Sequence, residues 1–234
     1  MSEQLNLPAL HEALQQLREV RDQLASGPRQ IQHRKKRIAQ AEQLVVDKTE
    51  ELKQTRAAAD RQNLDLKSKD QNLHSLRGKL NASSTNREYE ILRGQIEADT
   101  MAKSVLEDEI IELLERAEVI QKEVVTAKEA VAKLQTELQE FIQGFDQKVP
   151  GLQEREEVFA AKVSQLEEPI KGPLRDTYRR LVEVHGSDAL ADADGGSCSS
   201  CYVNLTPQQR VQVNGGKPLV CGSCGRIMYT HSRK

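Results

Sequence analysis

Reading every seventh residue from Leu10 gives Leu10, Leu17, Leu24, Ile31, Ile38, Val45, Leu52, Ala59, Leu66, Leu73 and Leu80, eleven consecutive apolar positions. A heptad column sustained over so many turns marks supercoiled helices. Its companion column is poor. Leu14 is apolar, but Arg21, Lys35, Glu42, Arg56, Asp70 and Arg77 are not, so this half offers a narrow seam. Ser26-Gly27-Pro28 suits entry into a new helix with Pro at its first position. A short helix over about 7–25 and a long one over about 29–80 are expected.

The small, polar stretch Asn81 to Thr85 ends that helix, and Thr85 three residues before Glu88 forms a capping-box pattern that starts the next. So short a connection makes the two helices antiparallel neighbours. The following helix carries two columns. One is Leu92, Asp99, Leu106, Leu113, Ile120, Ala127, Leu134 and Phe141; the other is Ile96, Lys103, Ile110, Ala117, Val124, Val131, Leu138 and Phe145. Only Asp99 and Lys103 are polar; four-residue spacing lets them pair on one helix face, and they read as a solvated turn near the hairpin tip in preference to a register-setting polar layer. Lys148-Val149-Pro150-Gly151 closes this helix. A last helix over about 152–184 is marked by Leu152, Phe159, Val163, Leu166, Ile170, Leu174, Tyr178 and Leu181, with Pro169 and Pro173 expected to kink or break it. The base of the hairpin gathers Phe141, Phe145, Phe159 and Tyr178, and is expected to form the one sizeable packed core outside the C-terminal segment.

Composition sharpens this reading. Charged residues are 30% of the chain, aromatics 3%, and Trp is absent, which suits long helices rather than a large globular core. Charge divides the chain. From Gly195 to Lys234 there is no acidic residue and five basic ones, whereas the remaining 194 residues carry 29 basic and 36 acidic side chains. No segment approaches the roughly 18 apolar residues of a membrane span, and the N-terminus lacks the pattern of a signal peptide. Asp188, Asp192, Asp194, Gly195 and Gly196 read as an acidic, then flexible linker. The domains are therefore drawn as a helical hairpin over 1–186, a linker over 187–196 and a small C-terminal domain over 197–234.

Chemistry concentrates in that last segment. Cys198-Ser199-Ser200-Cys201 and Cys221-Gly222-Ser223-Cys224 are two CxxC pairs separated by 19 residues, a spacing that suits a four-cysteine zinc site. Each turn presents two thiolates, and two turns supply the four ligands of tetrahedral Zn²⁺. A redox dithiol or a disulfide is the competing reading, and the lack of an export signal favours metal. Four cysteines close the shell, which makes the site structural rather than catalytic. Between the pairs, Tyr202 to Leu205 and Arg210 to Val213 suit short strands, Asn214-Gly215-Gly216 a turn, and Arg226 to Thr230 a last strand. So small a ribbon needs its metal to fold. The cations Arg210, Lys217, Arg226, Arg233 and Lys234 are candidates for phosphate contacts, with Tyr202 and Tyr229 as stacking faces. The competing reading packs both tyrosines beside the metal. Arg226 has a second possible role in supporting the knuckle it follows. His11, His33, His74 and His185 read as solvated, as does the basic run Arg34-Lys35-Lys36-Arg37, and His231 as a tail residue. No phosphate loop, nucleophile elbow or carboxylate pair is apparent.

The ending Cys221-Gly222-Ser223-Cys224-Gly225-Arg226-Ile227-Met228-Tyr229, the stretch Asn86-Arg87-Glu88-Tyr89-Glu90-Ile91-Leu92, and the spacing of Ile170, Pro173 and Tyr178 together resemble a bacterial family. Its members join an N-terminal coiled coil to a C-terminal four-cysteine zinc ribbon. The resemblance implies a mostly α protein, a long antiparallel coiled-coil hairpin with a small β zinc ribbon, that is not an enzyme and contacts protein or nucleic acid.

The resulting expectation is a cytoplasmic adaptor or scaffold that holds one structural zinc ion and docks protein partners through its hairpin and ribbon, with Tyr89 near the tip as a candidate contact. The alternative is an RNA- or DNA-binding protein that uses the basic ribbon. The heptads are compatible with a single hairpin or a homo-oligomer.

Overall fold

The computed structural model describes residues 5–231. Arg233 and Lys234 therefore lie outside the described residues. The chain is mostly helical and divides into two compact units. One is Met1–Ile31 with Phe141–Lys234, and the other is Gln32–Glu140.

Helix α1 runs unbroken over Leu7–Asn81, with Pro28 inside it. The expected break at Ser26-Gly27-Pro28 does not occur. Pro28 removes one backbone donor, but the ring of Phe145 lies where a side chain on residue 27 would stand. Gly27 thus admits an aromatic ring rather than ending a helix. Phe145 in turn stacks on Phe141, with ring centroids 6.3 Å apart.

In the unit Gln32–Glu140, α1 pairs with α2 (Asn86–Asp146). Thr85 caps α2 by accepting a hydrogen bond from the Glu88 amide at 3.3 Å. The apolar columns face inward: Ile38, Leu52, Ala59 and Leu73 are buried on α1, and Ile110, Ala117, Ile120 and Val124 on α2. The polar companion column is used across the arms. Glu42 accepts from Gln135, and Arg56 donates to Gln121, each at 3.2 Å. Asp70 pairs with Lys103 at 2.7 Å. Rising numbers on one arm meet falling numbers on the other, which is the antiparallel register. Lys103 therefore meets Asp70 of the facing arm, and Glu107 on its own, rather than Asp99. Lys103 is half-buried and Asp70, although exposed, stands opposite it on the facing arm.

The other unit has a different plan. Asn6 caps α1, its side chain accepting from the Ala9 amide at 3.2 Å. The first turns of α1 bury Leu7, Leu10, Ala13, Leu14, Leu17 and Val20, an amphipathic stripe of 3.6-residue period. The last helix is broken at the expected prolines into α3 (Val149–Glu167) and α4 (Pro173–His185). Pro173 begins α4 and Gly172 precedes it at φ 64°, so at the break the second proline takes the first position of a new helix. Glu167 accepts the Tyr178 hydroxyl at 2.7 Å, tying the two together.

The segment 187–196, read from sequence as a flexible linker, is structured. A 3-10 turn (Gly186–Ala189) leads into strand β1 (Leu190–Asp192). Then come α5 (Pro207–Asn214), β2 (Leu219–Val220) and β3 (Ile227–Tyr229). The sheet order is β1-β3-β2, with β1 parallel and β2 antiparallel to β3. Apolar Leu190, Ala191 and Ala193 alternate with the acidic residues, and burying them orders the segment. The expected strand over Arg210 to Val213 is the helix α5. Thr206 accepts from the Gln209 amide, Gln209 returns the bond to the Thr206 amide, and Pro207 fills the first helical position.

The core of this unit joins helices to sheet. Leu7, Leu10, Leu14, Leu17, Val163, Ile170 and Tyr178 form one cluster with Leu190, Ile227 and Tyr229. The ribbon and the helical base were expected to have separate cores. They share one, because β1 and β3 each send side chains to both faces. Leu190, Ile227 and Tyr229 meet the helices, while Ala191 and Met228 join the cluster around the cysteines.

Candidate metal centre

The four cysteines lie on two loops built alike. Each CxxC is the loop of a minimal hairpin, flanked by the bridge Ser197 to Asn204 in one case and by the Val220–Ile227 pair in the other. In the first, the Cys198 amide donates to Val203 O at 3.0 Å and the Tyr202 amide to Cys198 O at 2.8 Å. In the second, the Cys221 amide donates to Arg226 O at 2.8 Å and the Gly225 amide to Cys221 O at 2.9 Å. The residue after the second cysteine must take positive φ in both. Gly225 does so at 76°, and in the first loop Tyr202 does so at 59°.

This repeated turn aims two thiols per loop at one point. The four Sγ atoms lie within 4.8 Å of one another. Cys198 to Cys224 is 3.8 Å and Cys201 to Cys221 is 3.6 Å, so the close pairs join different loops. A tetrahedron with metal–sulfur bonds of about 2.3 Å has edges of about 3.8 Å. The donor set thus fits a four-coordinate metal ion with no position left open. Cys198 and Cys221 are buried and the other two half-buried.

The loops also set the proton affinities. Burial pushes the Cys198 thiol up to about 11. Burial acts the same way on Cys224, but hydrogen bonds from the backbone and side chain of Arg226, with Cys201 and Cys221, outweigh it and bring the thiol down to about 6. A thiol already favouring its anion near neutral pH is a prepared ligand.

The other residues singled out in the sequence fall into separate places. Arg226 serves the fold: its Nε donates to the Asp188 carbonyl at 2.7 Å, and Arg18 donates to the Asp188 carboxylate at 3.0 Å. Arg210 donates to the Leu205 carbonyl at 3.2 Å and lies against Gly196. Lys217 is exposed. Tyr229 is buried and offers no stacking face, whereas Tyr202 is 80% exposed. Tyr89 is exposed at the start of α2, in the other unit. His11, read as solvated, is half-buried and hydrogen-bonded through Nδ1 to the Tyr229 hydroxyl at 2.7 Å.

A long helical hairpin followed by a compact cysteine module narrows the kinship, and a family model decides it. The CT398-like coiled coil hairpin domain matches residues 7–186. The chain belongs to that family. The match ends before the first cysteine, so the metal centre rests on its own geometry. As a CT398-like protein it is similar over its length to two solved structures. The HP0958 protein from Helicobacter pylori is 16% identical, with a TM-score of 0.72 and 97% of each chain covered. CT398 from Chlamydia trachomatis is 17% identical, with a TM-score of 0.53, 96% of this chain and 100% of that one covered. At such identities the likeness speaks for the fold alone. No curated protein matches this chain. Among the described residues no helix is long and apolar enough to cross a membrane.

Proposed function

We propose that this CT398-like protein is a non-enzymatic, zinc-binding adaptor of the cytoplasm. Its hairpin arms display surface to protein partners and its cysteine module holds a second docking surface in place. The observation that carries this reading is the closed four-thiol centre. A tetrahedral set of sulfur donors suits zinc over harder ions, and a full shell gives substrate no place on the metal. Thiolates in a reducing compartment stay available to the ion. The ion's work is then to hold two loops and a three-stranded sheet, and sheet and helices share one core.

A second reading, nucleic-acid binding, draws support from Tyr202, whose exposed ring offers a stacking face. Arg210 and Arg226 already serve the fold, which leaves Lys217 as the described cation free for phosphate.

The test is capture of partners from lysate by the intact, metal-loaded chain with and without nuclease, alongside metal analysis. One zinc per chain, lost in Cys201→Ser and Cys224→Ser, with nuclease-resistant capture supports the adaptor. Capture abolished by nuclease, together with RNA or DNA binding that falls steeply with salt, supports the second reading and overturns the first.

A further inference from the structure

A second group of metal-donor side chains sits apart from the cysteines. Asp192 closes β1, Asp194 lies in the loop after it, and His231 follows β3. One oxygen of each carboxylate is held by a backbone amide. Asp192 Oδ1 accepts from the Asp194 amide at 2.8 Å, and Asp194 Oδ1 accepts from the His231 amide at 2.9 Å. The second oxygen of each turns toward one imidazole nitrogen. His231 Nδ1 lies 3.0 Å from Asp194 Oδ2 and 3.6 Å from Asp192 Oδ2. All three groups can place a donor atom within 4.8 Å of the others.

From this geometry we propose that Asp192, Asp194 and His231 form a second divalent-metal site, which takes a first-row ion such as Mn²⁺ or Co²⁺. Three arguments meet here. Donors bound at about 2.1 Å stand about 3.0–3.4 Å apart around an octahedral or tetrahedral ion, and the two imidazole-to-carboxylate separations lie close to that range. One imidazole with two carboxylates is a set for harder or borderline ions, unlike the all-sulfur centre nearby. The backbone amides that fix one oxygen of each carboxylate orient the other, as outer-shell partners do in metal sites. Asp192 and His231, with His11, Ser199 and Tyr229, line an open cavity of about 610 Å³. It leaves room for water to complete the shell, so this ion is exchangeable where the four-cysteine ion is enclosed.

The experiment uses the full-length, zinc-loaded chain titrated with Mn²⁺ and followed by the electron paramagnetic resonance of free Mn²⁺. Mn²⁺ binds thiolate ligands poorly, so it leaves the cysteine centre alone, and zinc content is measured alongside. The expected result is one Mn²⁺ per chain, with a melting temperature that rises with Mn²⁺ concentration. Asp192→Asn and His231→Gln keep the shape of each side chain. Each should weaken Mn²⁺ binding at least about tenfold and remove the melting shift, with zinc still at one per chain. No Mn²⁺ bound by the wild-type chain up to millimolar concentration overturns the site and leaves an ion pair between His231 and the two carboxylates. Binding equal in wild type and both variants overturns it as adventitious.

Discussion

The shared core makes Ile227 the most informative single position. It lies on β3, is 1% exposed, and sits in one cluster with Leu10, Leu14 and Leu17 of α1 and Tyr178 of α4. Ile227→Ala deletes three carbons, worth about 2.4 kcal/mol in transfer alone at ~0.8 kcal/mol per methylene. The cavity left behind adds to this. Its walls are helices and a sheet held in register by β1 and β2 and cannot close fully, so a total of about 3–4 kcal/mol is expected. The question is where that cost appears. If sheet and helices open as one cooperative unit, native-state hydrogen exchange should quicken by roughly two to three decades at the Leu10–Val20 amides of α1 as well as at β3. The same variant should keep its metal, since the cysteines pack with Met228 on the other face of the strand. Acceleration confined to residues 219–231, with the α1 amides unchanged, would refute the shared-core reasoning and restore a ribbon that folds by itself.

Two further outcomes follow from single residues. Tyr202 adopts φ 59° with its ring 80% exposed, so little packing offsets the strain. Tyr202→Gly should stabilise the first knuckle by about 1 kcal/mol, read as slower loss of metal to a chelator, while partner capture falls if the ring is a contact. His11 is lowered from its usual pKa because burial disfavours its charged form, more than Asp188 and Asp192 restore it. The unfolded chain then binds the extra proton first. Stability is unaffected well above pH 6.5 and falls as pH drops through that value toward the folded pKa. His11→Gln should flatten this slope in denaturant titrations between pH 7.5 and 5.5, and an unchanged slope would remove His11 as its cause.

Much of this architecture was legible beforehand, for identifiable reasons. Heptad columns depend only on helical period, so they placed Ile38, Leu52, Ile110 and Val124 on the buried face. The cysteine spacing depends only on the reach of a CxxC turn, so it picked out all four thiols that the fold gathers where they could hold a metal ion. Missed signals were present too. Thr206-Pro207-Gln208-Gln209 is a capping box with Pro at the first helical position, and it marks α5. The apolar residues within 187–196 argued against a free linker, and burial in the sheet is what ordered them.

Other features belong to tertiary structure alone. Gly27-Pro28 has the local form of a helix boundary, yet the helix continues, and Phe145, more than a hundred residues later, occupies the space beside Gly27. Asp99 stands nearer to Lys103 in sequence, yet the facing arm supplies Asp70 instead. Arg226 could have faced phosphate, but the Asp188 carbonyl takes its guanidinium. Local period and turn chemistry act within a few residues, and the sequence by itself determined what they control: the helices, the hairpin and the four clustered cysteines. Which distant surfaces fill one another's space and satisfy one another's polar groups was decided only on folding, and that decision joined the cysteine module to the helices.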